Sequence, residues 1–111
     1  MEVTSTQLKR CDLVTATGRI DSRTAPELAE VFRRITDAGR FRIVLDMSAV
    51  DYVSSAGLRI IIDVQKTCKR WNRGELVLVG VQPQVHGAME LVGFLPLFKI
   101  YTSTAEAVGS F

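Results

Sequence analysis

Apolar positions along the chain alternate between two rhythms: short β-branched runs, and longer stretches with apolar residues three and four apart. Val3 to Leu8 and Leu13 to Thr17 are β-prone and separated by the polar "KRCD", which predicts a hairpin of moderately hydrophobic strands toward one edge of a sheet. In "DSRTAPELAEVFRRITDAGR", Leu28, Val31, Phe32 and Ile35 recur at helical spacing. Thr24 and Glu27 form a capping-box pattern there, Pro26 sits in the first turn and Gly39 supplies the stop. "FRIVLDM" is apolar enough to be a central parallel strand covered on both faces, ending at Asp46. A loop then leads into a helix from about Ser55 to Trp71, with Gly74 ending it. "ELVLVGV" repeats the buried-strand pattern, and Pro83 opens "PQVHGAMELVGF" with Val85, Met89 and Val92 on one helical face. "FKIYT" reads as a last strand and "STAEAVGSF" as a short helix capped by Ser103 or Thr104. Strands alternating with helices predict an α/β layered domain, parallel through the middle, with right-handed crossovers.

Length and composition narrow the functional classes. At 111 residues and 47% hydrophobic content, the chain is long enough for one core and too short for two, so residues 1–111 are read as one domain. A net charge of +2 gives no dense basic stripe, so nucleic acid is not implied. "MEVTSTQLKRCD" has no apolar leader segment, and "GLRIIIDV" is interrupted by Arg59 and Asp63 before it could insert in a membrane. The expected location is cytoplasmic. Cys11 and Cys68 fit neither a redox pair nor a zinc-ligand spacing and are read as free thiols.

Candidate chemistry concentrates in "SAVDYVSSAG", because open α/β sheets gather functional groups beyond the carboxyl ends of their strands. Ser54 and Ser55 stand at a helix start, where serine is a preferred cap. A serine nucleophile needs a base, and the only histidine, His86, lies on a helix where a surface position is expected, with no G-x-S-x-G elbow near either serine. No H-E-x-x-H, Cys/His ligand set or Walker-type loop is present, so neither metal nor cofactor is expected. Asp21, Asp46 and Asp51 could converge on a divalent cation, although aspartates at turns commonly serve as local caps. A third reading makes Ser55 a substrate: a helix N-terminus accepts a phosphate well, and Arg59, four residues on, adds a cation on the same face. Leu58, Ile60, Ile61, Ile62 and Val64 put apolar groups almost all round the first turns of this helix. Deep burial and contact with a partner both remain open for it.

"IVLDMSAVDYVSSAGLRIII" resembles the signature of the sulfate-transporter and anti-sigma-factor-antagonist (STAS) domains, a strand ending in D-[LM]-S-x-V followed by a serine just before Gly-Leu. "TGRIDSRTAPEL" is similar to the family's segment entering its first helix, and "LVLVGVQPQVHGAMELVGFLPLFKIY" to its last strands and intervening helix. The resemblance runs from about Leu13 to Ala107. It implies a mixed, mostly parallel sheet of four to five strands with about four helices. Because the chain starts at its own methionine and shows no transporter or sensor segment, the free-standing bacterial antagonist type is the expectation. The resemblance implies a non-enzymatic switch: the unphosphorylated antagonist binds an anti-sigma factor that is also a serine kinase, freeing a sigma factor for transcription, and a serine phosphatase reverses the phosphorylation. Counting back from Gly57 and Leu58 puts Ser55 at the target position, with Ser54 the alternative and standing where relatives carry an aspartate. Asp21, Ser54, Ser55, Ala56, Gly57, Leu58 and Arg59 are the implied partner-binding residues. A second implication is a STAS module of a scaffold or lipid-transport complex in which the serine only caps the helix.

Overall fold

The predicted hairpin forms from β1 (Glu2–Gln7) and β2 (Asp12–Ile20), paired antiparallel with Val3 opposite Ala16 and Ser5 opposite Val14. The computed structural model describes all residues, Met1 to Phe111. After β2 come α1 (Ala25–Asp37), β3 (Arg42–Val53), α2 (Ser55–Lys69), β4 (Glu75–Val79), α3 (Pro83–Leu91), β5 (Ile100–Tyr101) and α4 (Thr104–Gly109). The five strands lie in chain order in one sheet, and every pair after the hairpin is parallel. This is the mixed, mostly parallel α/β arrangement with four helices that the resemblance implies.

Alternation along the strands sorts side chains into two layers. Val14, Ile43, Leu45, Leu76 and Leu78 face the larger core, which takes in Leu28 and Phe32 of α1, Ile61 and Ile62 of α2, and Val85 and Met89 of α3. Val44, Val77 and Val79 point to the opposite face, where Ala107 of α4 covers them. Each fully buried Leu or Ile contributes roughly 1.5–3 kcal/mol of transfer free energy, so the helix layer on the first face carries most of the stability. No helix is long and apolar enough to cross a membrane.

Several local expectations are corrected. β3 does not stop at Asp46 but continues through the segment read as a loop, pairing with β2 as far as Ile20 opposite Val53. Two register shifts, between Thr15 and Thr17 and between Gly18 and Arg19 of β2, make this possible. The capping box at Thr24 does not form, since no cap bond reaches its side chain. Its hydroxyl instead donates to the Arg19 carbonyl at 2.8 Å and accepts from the Asp21 N–H at 2.9 Å. Gly39 does close α1: its φ is +82°, and the Arg40 and Gly39 amides bond back to Ile35 and Thr36. α2, by contrast, ends before Gly74, in a 3-10 turn over Arg70–Asn72 where Trp71 and Asn72 both have positive φ. Gly74 is needed for another reason, because a Cβ there would lie 2.1 Å from the Phe41 carbonyl oxygen. Val92 is not on the buried face of α3, which ends at Leu91, and it is half exposed.

Candidate functional site

The extension of β3 decides where the two serines stand. Once Val53 is the last strand residue, the Ser54 N–H donates to the Ile20 carbonyl at 2.8 Å, and Ser54 turns the chain into α2 with extended backbone (φ −79°, ψ 172°). Its hydroxyl oxygen accepts the Gly57 N–H at 3.2 Å. Ser54 is therefore the N-cap and Ser55 the first helical residue, which decides between the two serines. Ser55 is exposed and its hydroxyl makes no hydrogen bond within the protein. Aspartate and serine are about equally good N-caps, so serine at position 54 keeps the cap that an aspartate would make while removing its charge.

Gly57 explains why α2 can begin so close to the sheet. A Cβ on it would come 2.7 Å from Ile20 Cγ2, 2.9 Å from Val53 Cγ1 and 3.1 Å from the Ile20 carbonyl oxygen. Gly57 and Leu58 are buried and seat the helix, Ala56 is half-buried, and Arg59 projects into solvent with Asp63 3.9 Å away. Of the apolar ring round α2, Leu58, Ile61, Ile62 and Val64 are buried in the core and only Ile60 is half exposed. Burial, not partner contact, accounts for that pattern.

Asp21 follows Ile20 directly, so it stands beside the start of α2. Its carboxylate accepts the Arg23 N–H at 2.9 Å and the Thr24 N–H at 3.2 Å. These bonds, the Arg23 amide foremost, hold its carboxyl below the usual carboxylate range. Asp46 serves differently, accepting the amide and hydroxyl of Ser48 within β3, and Asp51 lies exposed farther along the same strand. The three aspartates do not gather, and no group of three or more His, Cys, Asp or Glu side chains is placed to hold a metal ion. His86 is exposed on α3.

The residues missed by sequence reasoning come from the end of α3. Val92 and Phe94 join Ser55, Ala56, Leu58 and Arg59 in lining a shallow groove of about 440 Å³. Val92 is 51% exposed and, with Phe94, gives this groove an apolar shelf beside Ser55; the preceding Leu91 is 87% exposed. Gln82 and Gln84 fix α3 against β3 by donating to the Ser48 and Asp51 carbonyls at 2.8 and 3.2 Å. The only sequence signal for the shelf was Gly93 directly after Val92, whose positive φ (+76°) closes α3 and leaves Val92 at its cap.

Comparison with known proteins places this geometry in context. A family model described as the STAS domain matches residues 2–107. The chain is 37% identical over 94 residues to a Bordetella bronchiseptica protein named as a candidate anti-sigma factor antagonist, BtrV, spanning 85% of this chain and 80% of that one. It is 30% identical over 87 residues to the anti-sigma-B factor antagonist of Staphylococcus aureus, spanning 78% of this chain and 80% of that one. Among solved structures, the Bacillus cell fate determinant SpoIIAA in its phosphorylated form superposes with a TM-score of 0.78 at 13% identity, covering 98% of each chain. At that identity the likeness is one of fold.

Proposed function

The chain belongs to the STAS domain family, and from that membership we propose that it is an anti-sigma factor antagonist switched by phosphorylation at Ser55. Unmodified, it binds an anti-sigma factor serine kinase through the shelf formed by Val92 and Phe94 together with the exposed Ser55 and Arg59 of α2, and so releases a sigma factor for transcription. The kinase then transfers the γ-phosphoryl group of ATP to Ser55: the Oγ–P bond forms, ADP leaves, and the hydroxyl proton passes to a base of the kinase. A serine phosphatase restores the hydroxyl. The likeness to proteins named as antagonists supports the class of partner.

The observation that carries the site is the free, exposed hydroxyl of Ser55 at the first position of α2, beside apolar side chains. Ser54 is the weaker acceptor, because its oxygen already takes the Gly57 N–H and the residue is half-buried. A phosphate on Ser55 brings a charge of about −1.5 to −2 at pH 7 to a helix N-terminus, where first-turn amides and the macrodipole favour it. Arg59, held only by an exposed 3.9 Å pair with Asp63, is free to turn toward it. The fold therefore persists, while a partner packed over Val92 and Phe94 must bury or face the new charge. A neighbour of the same fold in phosphorylated form fits this reading.

Incubation with the cognate kinase-type anti-sigma factor and ATP, followed by peptide mass spectrometry, tests the assignment. One phosphate on Ser55, absent from Ser55→Ala, is expected. Modification of Ser54 in the unaltered protein, or none at all, overturns it.

A further inference from the structure

The other ends of α2 and β3 carry a feature that the serine switch does not use. About 20 Å from Ser55, taking the 1.5 Å rise of a helix, an open cleft of about 260 Å³ lies between the β1–β2 turn, the end of α1 and the start of β3. It gathers five of the chain's fourteen basic side chains, Lys9, Arg10, Arg40, Arg42 and Arg73, and one of its twelve acidic ones, Asp12. With a net charge of only +2 overall, this leaves the rest of the molecule net negative.

Two of these cations already have partners within the protein. Arg40 follows the last turn of α1 and pairs with buried Asp12 at 3.0 Å, which neutralises the only acid in the cleft. Arg73 donates to the Thr67 and Arg70 carbonyls at 2.7 and 3.1 Å, closing the end of α2, with its guanidinium stacked 3.7 Å from the Phe41 ring. Lys9 and Arg10 are on the hairpin turn and Arg42 is on a strand, so no helix terminus calls for them. None of these three, nor Arg73, pairs with an Asp or Glu side chain; Arg10 only donates a long 3.5 Å bond to the main-chain oxygen of Phe111, the last residue. Unpaired like charges in one cleft repel each other, and an anion with several oxygens relieves that repulsion.

We infer that this cleft binds a multivalent phosphate anion, with Lys9, Arg10 and Arg42 contacting its oxygens and the immobilised Arg73 guanidinium forming one wall. The shared chemistry is a phosphate ester or pyrophosphate, carried by a free small molecule or by a lipid headgroup. Trp71 is the chain's only tryptophan, is 80% exposed and lies 5.3 Å from the Arg73 guanidinium, so its fluorescence reports on the cleft.

Titration of the full chain with inorganic pyrophosphate at low salt, followed by Trp71 emission and backbone amide shifts, tests the inference. Saturable changes in Trp71 and in amides of residues 7–12 and 39–42 are expected, weakening as salt rises. Lys9→Gln/Arg42→Gln removes two exposed, unpaired cations and is expected to weaken binding at least tenfold, whereas Arg34→Gln/Lys66→Gln, which removes equal charge elsewhere, leaves it unchanged. Ser55→Asp is also expected to bind normally, which separates this site from the switch. Co-sedimentation with phosphatidic-acid vesicles, against neutral phosphatidylcholine vesicles, assigns the source: association that pyrophosphate competes away identifies a headgroup, and pyrophosphate binding without association identifies a free anion. Neither pyrophosphate nor vesicle binding, or equal weakening by the two double variants, overturns the inference.

Discussion

Replacing the two adjacent serines by alanine, one at a time, separates the cap from the proposed acceptor. Ser54→Ala removes the oxygen that takes the Gly57 N–H at 3.2 Å, and Gly57 is buried, so water does not readily replace the lost partner. N-cap deletions cost about 0.5–2 kcal/mol, and burial of the orphaned amide puts this one in the upper half, about 1–2 kcal/mol. Ser55→Ala removes an exposed hydroxyl without an intramolecular bond and is expected within about 0.5 kcal/mol of the parent. Unfolding entropy of about 2.1 cal/mol/K per residue over 111 residues converts 1 kcal/mol into a Tm shift of roughly 4 °C. Thermal unfolding followed by circular dichroism should thus show Ser54→Ala melting about 4–8 °C lower, Ser55→Ala within about 2 °C, and Ser54→Asp close to the parent because the carboxylate restores the cap. If Ser55→Ala lost as much as Ser54→Ala, the geometry at the start of α2 would be wrong and Ser55 would be a structural residue.

Three further expectations follow from the packing. Gly57→Ala forces a Cβ within 3 Å of Ile20 and Val53 side chains; overpacking of about 1–3 kcal/mol outweighs about 1 kcal/mol gained in helix propensity, so the urea midpoint falls, and a rise would contradict the close approach. Gln65, buried, accepts the Leu76 N–H at 2.8 Å and donates to the Leu76 and Leu97 carbonyls; Gln65→Leu is expected to destabilise by about 1–3 kcal/mol and to speed hydrogen exchange at the Leu76 amide, and unchanged exchange there would argue against the clamp. Burial pushes the Cys68 thiol up to about 11 and also raises that of Cys11, so thiolate is scarce at pH 8 and a thiol reagent should modify both only after denaturant is added.

The alternation of strands and helices was legible because Ile43, Leu45, Leu76 and Leu78 are buried in unbroken apolar runs, and Gly39 marks a turn that needs positive φ. The second half of β3 was not legible. Its buried positions Met47, Val50 and Val53 recur every third residue, because two register shifts against β2 break the period of two by which strands are recognised. Misplacing the strand end by seven residues left the choice of cap between Ser54 and Ser55 open, since only the Ser54 N–H bond to Ile20 fixes where the helix starts. Thr24 illustrates a competing local bond: its hydroxyl prefers Arg19 and Asp21 to the helix amides, so a capping-box sequence makes no capping box. The shelf at Val92 and Phe94 escaped notice because apolar residues at helical spacing read as core whether or not the helix reaches them.

The most direct test of the proposed switch compares the affinity of two preparations of this protein for the cognate anti-sigma factor, measured by titration calorimetry. One is unmodified and the other carries a single phosphate on Ser55. Like-charge and desolvation costs of about 3 kcal/mol at the shelf correspond to roughly a hundredfold loss of affinity on phosphorylation, with thermal unfolding unchanged. Equal binding by the two preparations, or a phosphorylated form that has lost its fold, would contradict the account.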